Sequence, residues 1–289
     1  MKRIALIGML ACMVLAAAWA TGTAETTEAM KPIELKYAHV GIAGEIQTRY
    51  AAELAAMVKE RTKGAVVIQV FPNSQLGGAN EMVDGIKSGA ISMGHHDFAT
   101  LGKFFSDIAV FNAPYIYRDG QHALAATNPA TSPVLQQINE ELVKVAGLRV
   151  IGSNYRGARQ LSATFPVYSP ADLQGKKIRG TPVKLWMSMI SGMGAIPTPV
   201  EISELYTALL TGLVSGQENP LTNIHTQKFH EVQKYIMMTN HMQAVLSTFI
   251  NEKVWQSLGT ANQKIMSECL AEMALKTLQW TKEAEAPVI

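Results

Sequence analysis

The sequence predicts an α/β protein whose sheet is largely parallel and covered by helices. Along the first half of the chain, apolar residues recur alternately at strand spacing and at helical spacing. Glycine and proline mark the changes between the two patterns. Regular alternation of strand and helix favours a parallel sheet, because each helix returns the chain to the edge where the last strand began. About 265 residues follow the first 24, which suits two lobes at least as well as one.

The first half of the chain is predicted to contain four strands, at residues 33–40, 66–71, 91–93 and 148–152. Helices are predicted between them, at residues 47–61, 80–87, 119–128 and 132–146. Gly64 and Gly89 follow the first two helices, and glycine ends helices because it adopts the left-handed conformation freely. These elements predict one α/β lobe.

The second half is predicted to be more irregular. Residues 157–200 hold short strands, turns and a helix over 182–191, and further elements are predicted at 201–211 (helix), 232–239 and 244–251 (strands) and 261–282 (helix). Extended crossovers between two lobes are expected near residues 153–158 and 242–246. The predicted lobe I therefore comprises residues 25–156 and 245–289, and lobe II comprises residues 157–244.

The first 24 residues have the layout of a secretory signal peptide. Met1-Lys2-Arg3 is a basic start, Ile4 to Ala20 is an apolar run, and Ala18-Trp19-Ala20 forms a cleavage site of small residues. The alternative is a membrane anchor, since the run is close to the roughly 20 residues that a spanning helix needs. We expect cleavage and a periplasmic location.

The charge balance bears on nucleic acid as a partner, and the cysteine content bears on internal disulfides. Without Lys2 and Arg3, the 25 basic residues fall to 23, which equals the 23 acidic residues. A balanced chain does not favour nucleic acid as a partner. Cys269 is the single cysteine beyond the predicted signal peptide, so the exported chain forms no internal disulfide.

The sequence lacks the familiar motifs of catalysis and phosphate binding, including Gly-x-Ser-x-Gly, His-Glu-x-x-His and Gly-x-Gly-x-x-Gly. His95-His96-Asp97 is the sharpest candidate for a metal site. On a strand, neighbouring side chains point to opposite faces, so the two histidines do not easily share one ion. A zinc site needs at least three protein ligands, and no third is evident. We therefore predict no metal, no cofactor and no enzyme activity.

Three blocks of sequence resemble one known family. They are Phe71-Pro72-Asn73-Ser74-Gln75-Leu76-Gly77-Gly78 with Ile86 and Gly89; Gly157-Ala158-Arg159 with Asp172-Leu173-x-Gly175-Lys176-Lys177-Ile178-Arg179; and Glu204-Leu205-Tyr206 with Gly216-Gln217-Glu218-Asn219-Pro220-Leu221, Phe229 to Tyr235 and Thr239-Asn240-His241. In this order and spacing they resemble the DctP-type solute-binding proteins of tripartite ATP-independent periplasmic (TRAP) transporters. The resemblance covers roughly residues 33–250.

The resemblance implies a two-lobed periplasmic-binding-protein fold, with a hinge and a ligand cleft between the lobes. It also implies a monomer that captures a small organic acid and delivers it to a TRAP membrane permease driven by an ion gradient. By the same resemblance Arg179 binds the ligand carboxylate, and Arg159 and Asn219 assist it. The chemistry agrees, because a guanidinium presents a planar fork of donors that matches a carboxylate.

Four further side chains complete the predicted ligand-binding set. His39, His96 and Asp97 are expected at strand ends facing the cleft, and Trp186 is expected either to stack on the ligand or to pack in the interior. An acid and histidines opposite two arginines favour a hydroxy acid, a keto acid or a sugar acid. Two alternatives stay open: a periplasmic enzyme that uses His95, His96 and Asp97, and a ligand sensor of the same fold.

Overall fold

A computed structural model describes residues 31–287 of the chain. The predicted signal peptide therefore lies outside the described residues. The strands in that part of the chain are β1 (Ile33–Ala38), β2 (Val66–Phe71), β3 (Met93–Asp97), β4 (Leu148–Ala163), β5 (Lys177–Gly180), β6 (Ile196–Pro199), β7 (Gly216–Pro220) and β8 (Tyr235–Asn251). The α-helices are α1 (Ile46–Arg61), α2 (Ala79–Ser88), α3 (Phe98–Leu101), α4 (Gly120–Ala126), α5 (Pro133–Ala146), α6 (Lys184–Gly192), α7 (Leu205–Leu210), α8 (Leu221–Thr226), α9 (Glu252–Ser257) and α10 (Gly259–Glu285).

All eight strands form one sheet, in the order β2-β1-β3-β8-β4-β7-β5-β6. Pairing is parallel within a first strand group, β1 to β3, and within a second group, β5 to β7. The predicted parallel sheet is confirmed in these two groups. It is wrong at the centre, where β8 pairs antiparallel with β3 and β4, and β4 pairs antiparallel with β7.

Strands β4 and β8 connect the two groups. Their ladder runs from Leu148 opposite Asn251 to Ala163 opposite Tyr235. The strand predicted to end at residue 152 therefore continues, and the two strands predicted at 232–239 and 244–251 are one. The predicted crossovers are extended, as expected, but they are hydrogen-bonded to each other, with Asn154 opposite Leu246. Periodicity did not reveal this pairing, because both strands are buried over most of that length and a buried strand need not alternate apolar and polar residues.

Helix termini follow local chemistry closely. Ser132 caps α5 by accepting a hydrogen bond from the backbone N–H of Leu135 (3.3 Å), and Pro133 occupies the first turn. Gly89 ends α2 with φ of 84°, as predicted from the sequence. The helix predicted over 201–211 is shorter, because Ile202–Glu204 forms a 3₁₀ turn before α7 begins.

Separate apolar clusters pack against the two strand groups. The larger ones cover β1 to β3 and include α10 residues Cys269, Leu270 and Met273, whereas smaller ones surround Leu205 and Ile178 in the second group. Separate clusters agree with two lobes, whose exact residue boundaries stay a prediction. Within residues 31–287, no helix is long and apolar enough to cross a membrane.

Candidate functional site

A narrow cleft, with a cavity volume of about 30 Å³, lies where the two strand groups face each other. Parallel strands within a group end at the same edge of a sheet, which is where open α/β sheets present ligand-binding side chains. Residues at or just beyond the ends of β1, β3, β5 and β7 supply most of the lining, with further residues from α1, β4, β8 and the segment after β6. The lining residues are Val40, Gln47, His96, Asp97, Arg156, Arg179, Thr181, Glu201, Ile202, Asn219 and Leu246.

Arg179 occupies the next-to-last position of β5. Its Nε donates to the carbonyl oxygen of Val200 (2.8 Å), and its Nη1 is 3.4 Å from Thr181 Oγ1. The residue is only 2% exposed, yet no carboxylate of the described residues forms an ion pair with it. Burial lowers the pKa of Arg179 to about 10, which still leaves the guanidinium charged at neutral pH. The cleft thus contains a fixed, uncompensated cation.

Arg159 is neutralised from within the protein. It lies on β4, 1% exposed, and pairs bidentately with Glu218 of β7; its Nη2 is 2.7 Å from both Glu218 Oε1 and the Glu218 carbonyl oxygen. Its Nη1 is buried without a hydrogen-bond partner. Arg159 is not among the lining residues of the cleft, and its pairing with Glu218 connects β4 to β7 behind them.

Glu218 has two further donors. Trp186 Nε1 donates to Oε1 (2.9 Å), and His241 Nε2 lies 3.0 Å from Oε2. Burial alone would raise the pKa of Glu218, but Arg159 and His241 lower it well below its ordinary value. Trp186 is fully buried, which is the packing alternative considered from the sequence. We call Arg159, Glu218, Trp186 and His241 the buried tetrad.

Asn219 stands beside Glu218 on β7 and lines the cleft. Its Nδ2 donates to Gln217 Oε1 (2.7 Å), and Gln217 Nε2 donates in turn to Ser162 Oγ (2.8 Å). This chain of amides fixes the orientation of Asn219, since each amide uses its oxygen and nitrogen in a defined sense. Asn219 and Arg179 therefore both supply polar groups from the second strand group.

Asp97 and His96 face them from the end of β3. Asp97 is 3% exposed, and its Oδ1 is buried without a hydrogen-bond donor. His96 Nδ1 is 2.7 Å from Thr100 Oγ1 and 3.6 Å from Asp97 Oδ2. Burial lowers the pKa of His96 to about 4, against the opposing effect of Asp97, so the imidazole is neutral at pH 7 and does not compensate the carboxylate.

His39 and His95 lie deeper, behind this face of the cleft. Their rings stack at 4.8 Å, and burial lowers the pKa of His39 to about 4. The Gly41 N–H donates to His39 Nδ1 (3.1 Å). His95 lies between Tyr37 Oη, 2.7 Å from Nδ1, and Gln47 Oε1, 3.3 Å from Nε2, which suits one neutral tautomer. Both histidines act as uncharged parts of the interior.

Arg156 is the lining residue that sequence reasoning missed. It lies three positions before Arg159, so in a regular strand the two would point to opposite faces. The ladder contains a bulge there, because three steps from Tyr155 to Ala158 oppose two steps from Val245 to Gln243. Gly157, with φ of 112°, provides the unusual backbone. The extra residue of the bulge shifts the alternation by one position, so Arg156 and Arg159 lie on the same face of β4.

The structure thus brings four of the seven predicted site residues to the cleft: Arg179, Asn219, Asp97 and His96. Arg159, Trp186 and His39 lie behind the lining, and the direct ligand contacts predicted for all seven stay predictions. Glu218 and His241 belong to motifs that the sequence contains, but nothing local pairs them with Arg159. In residues 31–287, no group of three or more His, Cys, Asp or Glu side chains is arranged to hold a metal ion.

Comparison with known proteins identifies a matching family. The model of the bacterial extracellular solute-binding proteins, family 7 (DctP), matches residues 37–289. A solute-binding protein of Roseobacter denitrificans is 32% identical over 223 residues, which is 77% of this chain and 66% of that protein. The C4-dicarboxylate-binding periplasmic protein of Rhodobacter capsulatus is 31% identical over 245 residues, 84% of this chain and 72% of that protein.

Solved structures agree with these sequence matches. A TRAP periplasmic solute-binding protein from Roseobacter denitrificans, with bound L-galactonate, superposes with a TM-score of 0.82 and 29% sequence identity. The superposition covers 90% of this chain and 85% of that one. The two-lobed fold expected from the sequence is therefore confirmed.

The buried tetrad predicts that the contributions of Arg159 and Glu218 to the free energy of unfolding are strongly coupled. Glu218→Leu leaves a buried guanidinium without its carboxylate and should destabilise the protein by about 3–5 kcal/mol. The double variant Arg159→Met, Glu218→Leu removes both charges and should lose less free energy of unfolding than the single variant. Urea unfolding of the four proteins in the cycle measures this coupling.

Glu141→Gln is the control, because Glu141 pairs with Lys144 on an exposed helix face. That change should alter the free energy of unfolding by less than about 1 kcal/mol. If Glu218→Leu were as mild as this control, the pairing with Arg159 would contribute little to stability.

The buried histidines predict a loss of stability in acid. His39 and His96 have folded-state pKa values near 4, below the unfolded value of 6.5, so the unfolded state binds more protons between these limits. The free energy of unfolding therefore falls as the pH drops from 6.5 to 4. Each histidine should contribute about 1–2 kcal/mol of loss between pH 7 and pH 5, measured by urea unfolding. His39→Gln should reduce this acid-induced loss of unfolding free energy by the contribution of His39, whereas exposed His230→Gln should leave the loss unchanged. If the free energy of unfolding depended on pH equally in both variants, the loss would not come from His39.

Proposed function

This chain belongs to the bacterial extracellular solute-binding proteins of family 7, and from that premise we propose that it is a periplasmic binding protein for a small organic acid. In this proposal the acid binds in the cleft between the two strand groups, which close over it. The closed protein then delivers the acid to a TRAP-type permease driven by an ion gradient. Relatives with solved structures are binding proteins, and we propose that this chain likewise has no enzyme activity.

The observation that carries the proposal is the state of Arg179. A buried cation is costly unless a partner compensates it, and Arg159 has such a partner in Glu218 whereas Arg179 has none among the described residues. Its Nε is fixed by Val200, which leaves the outer edge of the guanidinium directed to the cleft. A ligand carboxylate would supply the missing negative charge with matched geometry.

Contacts that span the cleft support closure over a ligand. Asn223 Nδ2 and Gln227 Nε2, in and just after α8, donate to Glu45 Oε1 before α1, at 2.8 and 2.6 Å. On another part of the rim, Asn80 Nδ2 donates to the Pro182 carbonyl oxygen (3.0 Å). A ligand that binds both faces stabilises the arrangement in which these contacts exist.

The enzyme alternative has less support. It assigned acid–base roles to His95, His96 and Asp97, but His95 is enclosed by Tyr37 and Gln47, and a pKa near 4 leaves His96 a weak base at neutral pH. The ligand-sensor alternative would use the same cleft and differs only in the partner that reads the closed form.

Loss of Arg179 should abolish or greatly weaken binding. A screen of the purified protein against dicarboxylates, hydroxy acids, keto acids, sugar acids and aromatic acids identifies a ligand by its thermal stabilisation. Isothermal titration calorimetry should then show Arg179→Ala weakening binding by roughly 30-fold to several thousand-fold, because one partner of a buried charge pair is removed.

Arg118→Ala is the matched control, since Arg118 is exposed and lies outside the cleft. It should leave the dissociation constant unchanged. A ligand that binds Arg179→Ala and the wild type equally would place the site elsewhere and contradict the proposal.

Transport requires a further test. Proteoliposomes that contain the cognate permease subunits and an ion gradient should accumulate the identified acid only when this protein is added. Arg179→Ala should reduce that uptake in proportion to its loss of binding. Full uptake without the protein would exclude the delivery role while leaving the binding role intact.

A further inference from the structure

We infer that Asp97 and Arg156 form a hydroxyl-recognising pair, so that the site takes a monocarboxylic acid bearing hydroxyl groups and rejects unsubstituted dicarboxylates. This inference rests on the proposed function, because it assumes that Arg179 holds the ligand carboxylate. It assigns a ligand contact to Arg156 and a selective role to Asp97.

Asp97 lacks a hydrogen-bond donor from the described residues, and the ligand would supply one. An ionised carboxylate only accepts hydrogen bonds, and no side chain or backbone group of the described residues donates one to Asp97. His96 is the nearest candidate, but its Nδ1 lies closer to Thr100 Oγ1 (2.7 Å) than to Asp97 Oδ2 (3.6 Å). A buried acceptor without a donor costs free energy, which a ligand hydroxyl would recover.

Arg156 lacks a hydrogen-bond acceptor among the described residues of the same cleft. It forms no ion pair and no side-chain hydrogen bond with the described residues, and its Nε is buried without a partner. Burial and the neighbouring Arg159 lower the pKa of Arg156, and Asp97 and Glu45 oppose that effect from nearby. A hydroxyl group satisfies both residues at once, because it donates one hydrogen bond and accepts others.

The charges of the cleft set the charge of the ligand. Arg156 and Arg179 form no ion pair with a carboxylate of the described residues, and the cleft places Asp97, which pairs with no arginine or lysine, among the lining residues with them. Glu201 also lines the cleft, but it accepts a hydrogen bond from the Ala79 backbone at the start of α2, where the helix dipole favours a negative charge. One positive charge is therefore left over, and a single carboxylate balances it.

A second carboxylate on the ligand would be unfavourable for the same reason. With one carboxylate at Arg179, a second carboxylate directed to Asp97 would meet a like charge, and like charges in a dry cleft repel strongly. An unsubstituted dicarboxylate also has no donor for Asp97. Sites built to hydrogen-bond a ligand hydroxyl discriminate strongly against analogues that lack it.

Four kinds of six-carbon acid separate the two requirements. Hexanoate has one carboxylate and no hydroxyl, adipate has two carboxylates and no hydroxyl, hexonates have one carboxylate with hydroxyls, and galactarate has both. We expect a hexonate (D-gluconate, D-galactonate, L-galactonate or L-gulonate) to bind at least about a hundredfold more tightly than hexanoate or adipate by isothermal titration calorimetry. Galactarate should bind more weakly than the best hexonate.

Two cleft variants test the named residues. Asp97→Asn and Arg156→Gln should each weaken hexonate binding by roughly 10- to 150-fold, which corresponds to one hydrogen bond to a charged group. Exposed Asp107→Asn and Arg118→Gln are matched controls that should leave the dissociation constant unchanged. Melting temperatures of all variants without ligand identify any loss of folding.

Each outcome decides the inference. If adipate binds as tightly as the best hexonate, or if Arg156→Gln selectively weakens adipate, then Arg156 holds a second carboxylate and the inference is wrong. If no hydroxylated monocarboxylate in the wider screen binds while another acid binds in an Arg179-dependent manner, the hydroxyl-recognising pair is wrong but the proposed function holds. If no acid in the wider screen binds the folded protein, both fail.

Discussion

The antiparallel pairing of β4 with β8 is the constraint on which the rest of the structure depends. Each strand is long enough to belong to both strand groups, so one ladder joins two parallel sheets and two apolar cores. β3 is held on β8, and β7 is held on β4, which brings the ends of otherwise unrelated strands to one cleft.

Three arginines near this ladder differ in whether a carboxylate of the protein pairs with them. Arg159 is enclosed with Glu218, and hydrogen bonds from Trp186 and His241 complete the shell of that carboxylate. Burying such a pair is weak evidence for stability, but it fixes how β4, β7, β8 and α6 meet. Arg156 and Arg179 carry the same charge without a partner in the described residues. Under the proposed function, a bound anion balances this charge.

Neutral histidines complete the opposite face. Burial holds His39 and His96 uncharged at neutral pH, so they add hydrogen-bonding groups to β1 and β3 without adding positive charge. The charged side chains that line the cleft are therefore two arginines and the acids Asp97 and Glu201, without a charged histidine.

Local physical chemistry determined most of the elements from sequence alone. Periodicity and the glycine stops predicted α1, α2, α5 and α10 within a few residues, because these signals act over one or two turns. Sequence blocks that match a family also led to Arg179, Asn219, Asp97 and His96 in the cleft lining. Only the tertiary structure decided that residues 153–158 and 242–246 pair as strands, that Glu218 compensates Arg159, and that a bulge at Gly157 gives Arg156 the same face as Arg159. These features depend on contacts between residues tens of positions apart, and on one extra residue in a ladder whose side chains alternate, so no local pattern contains them.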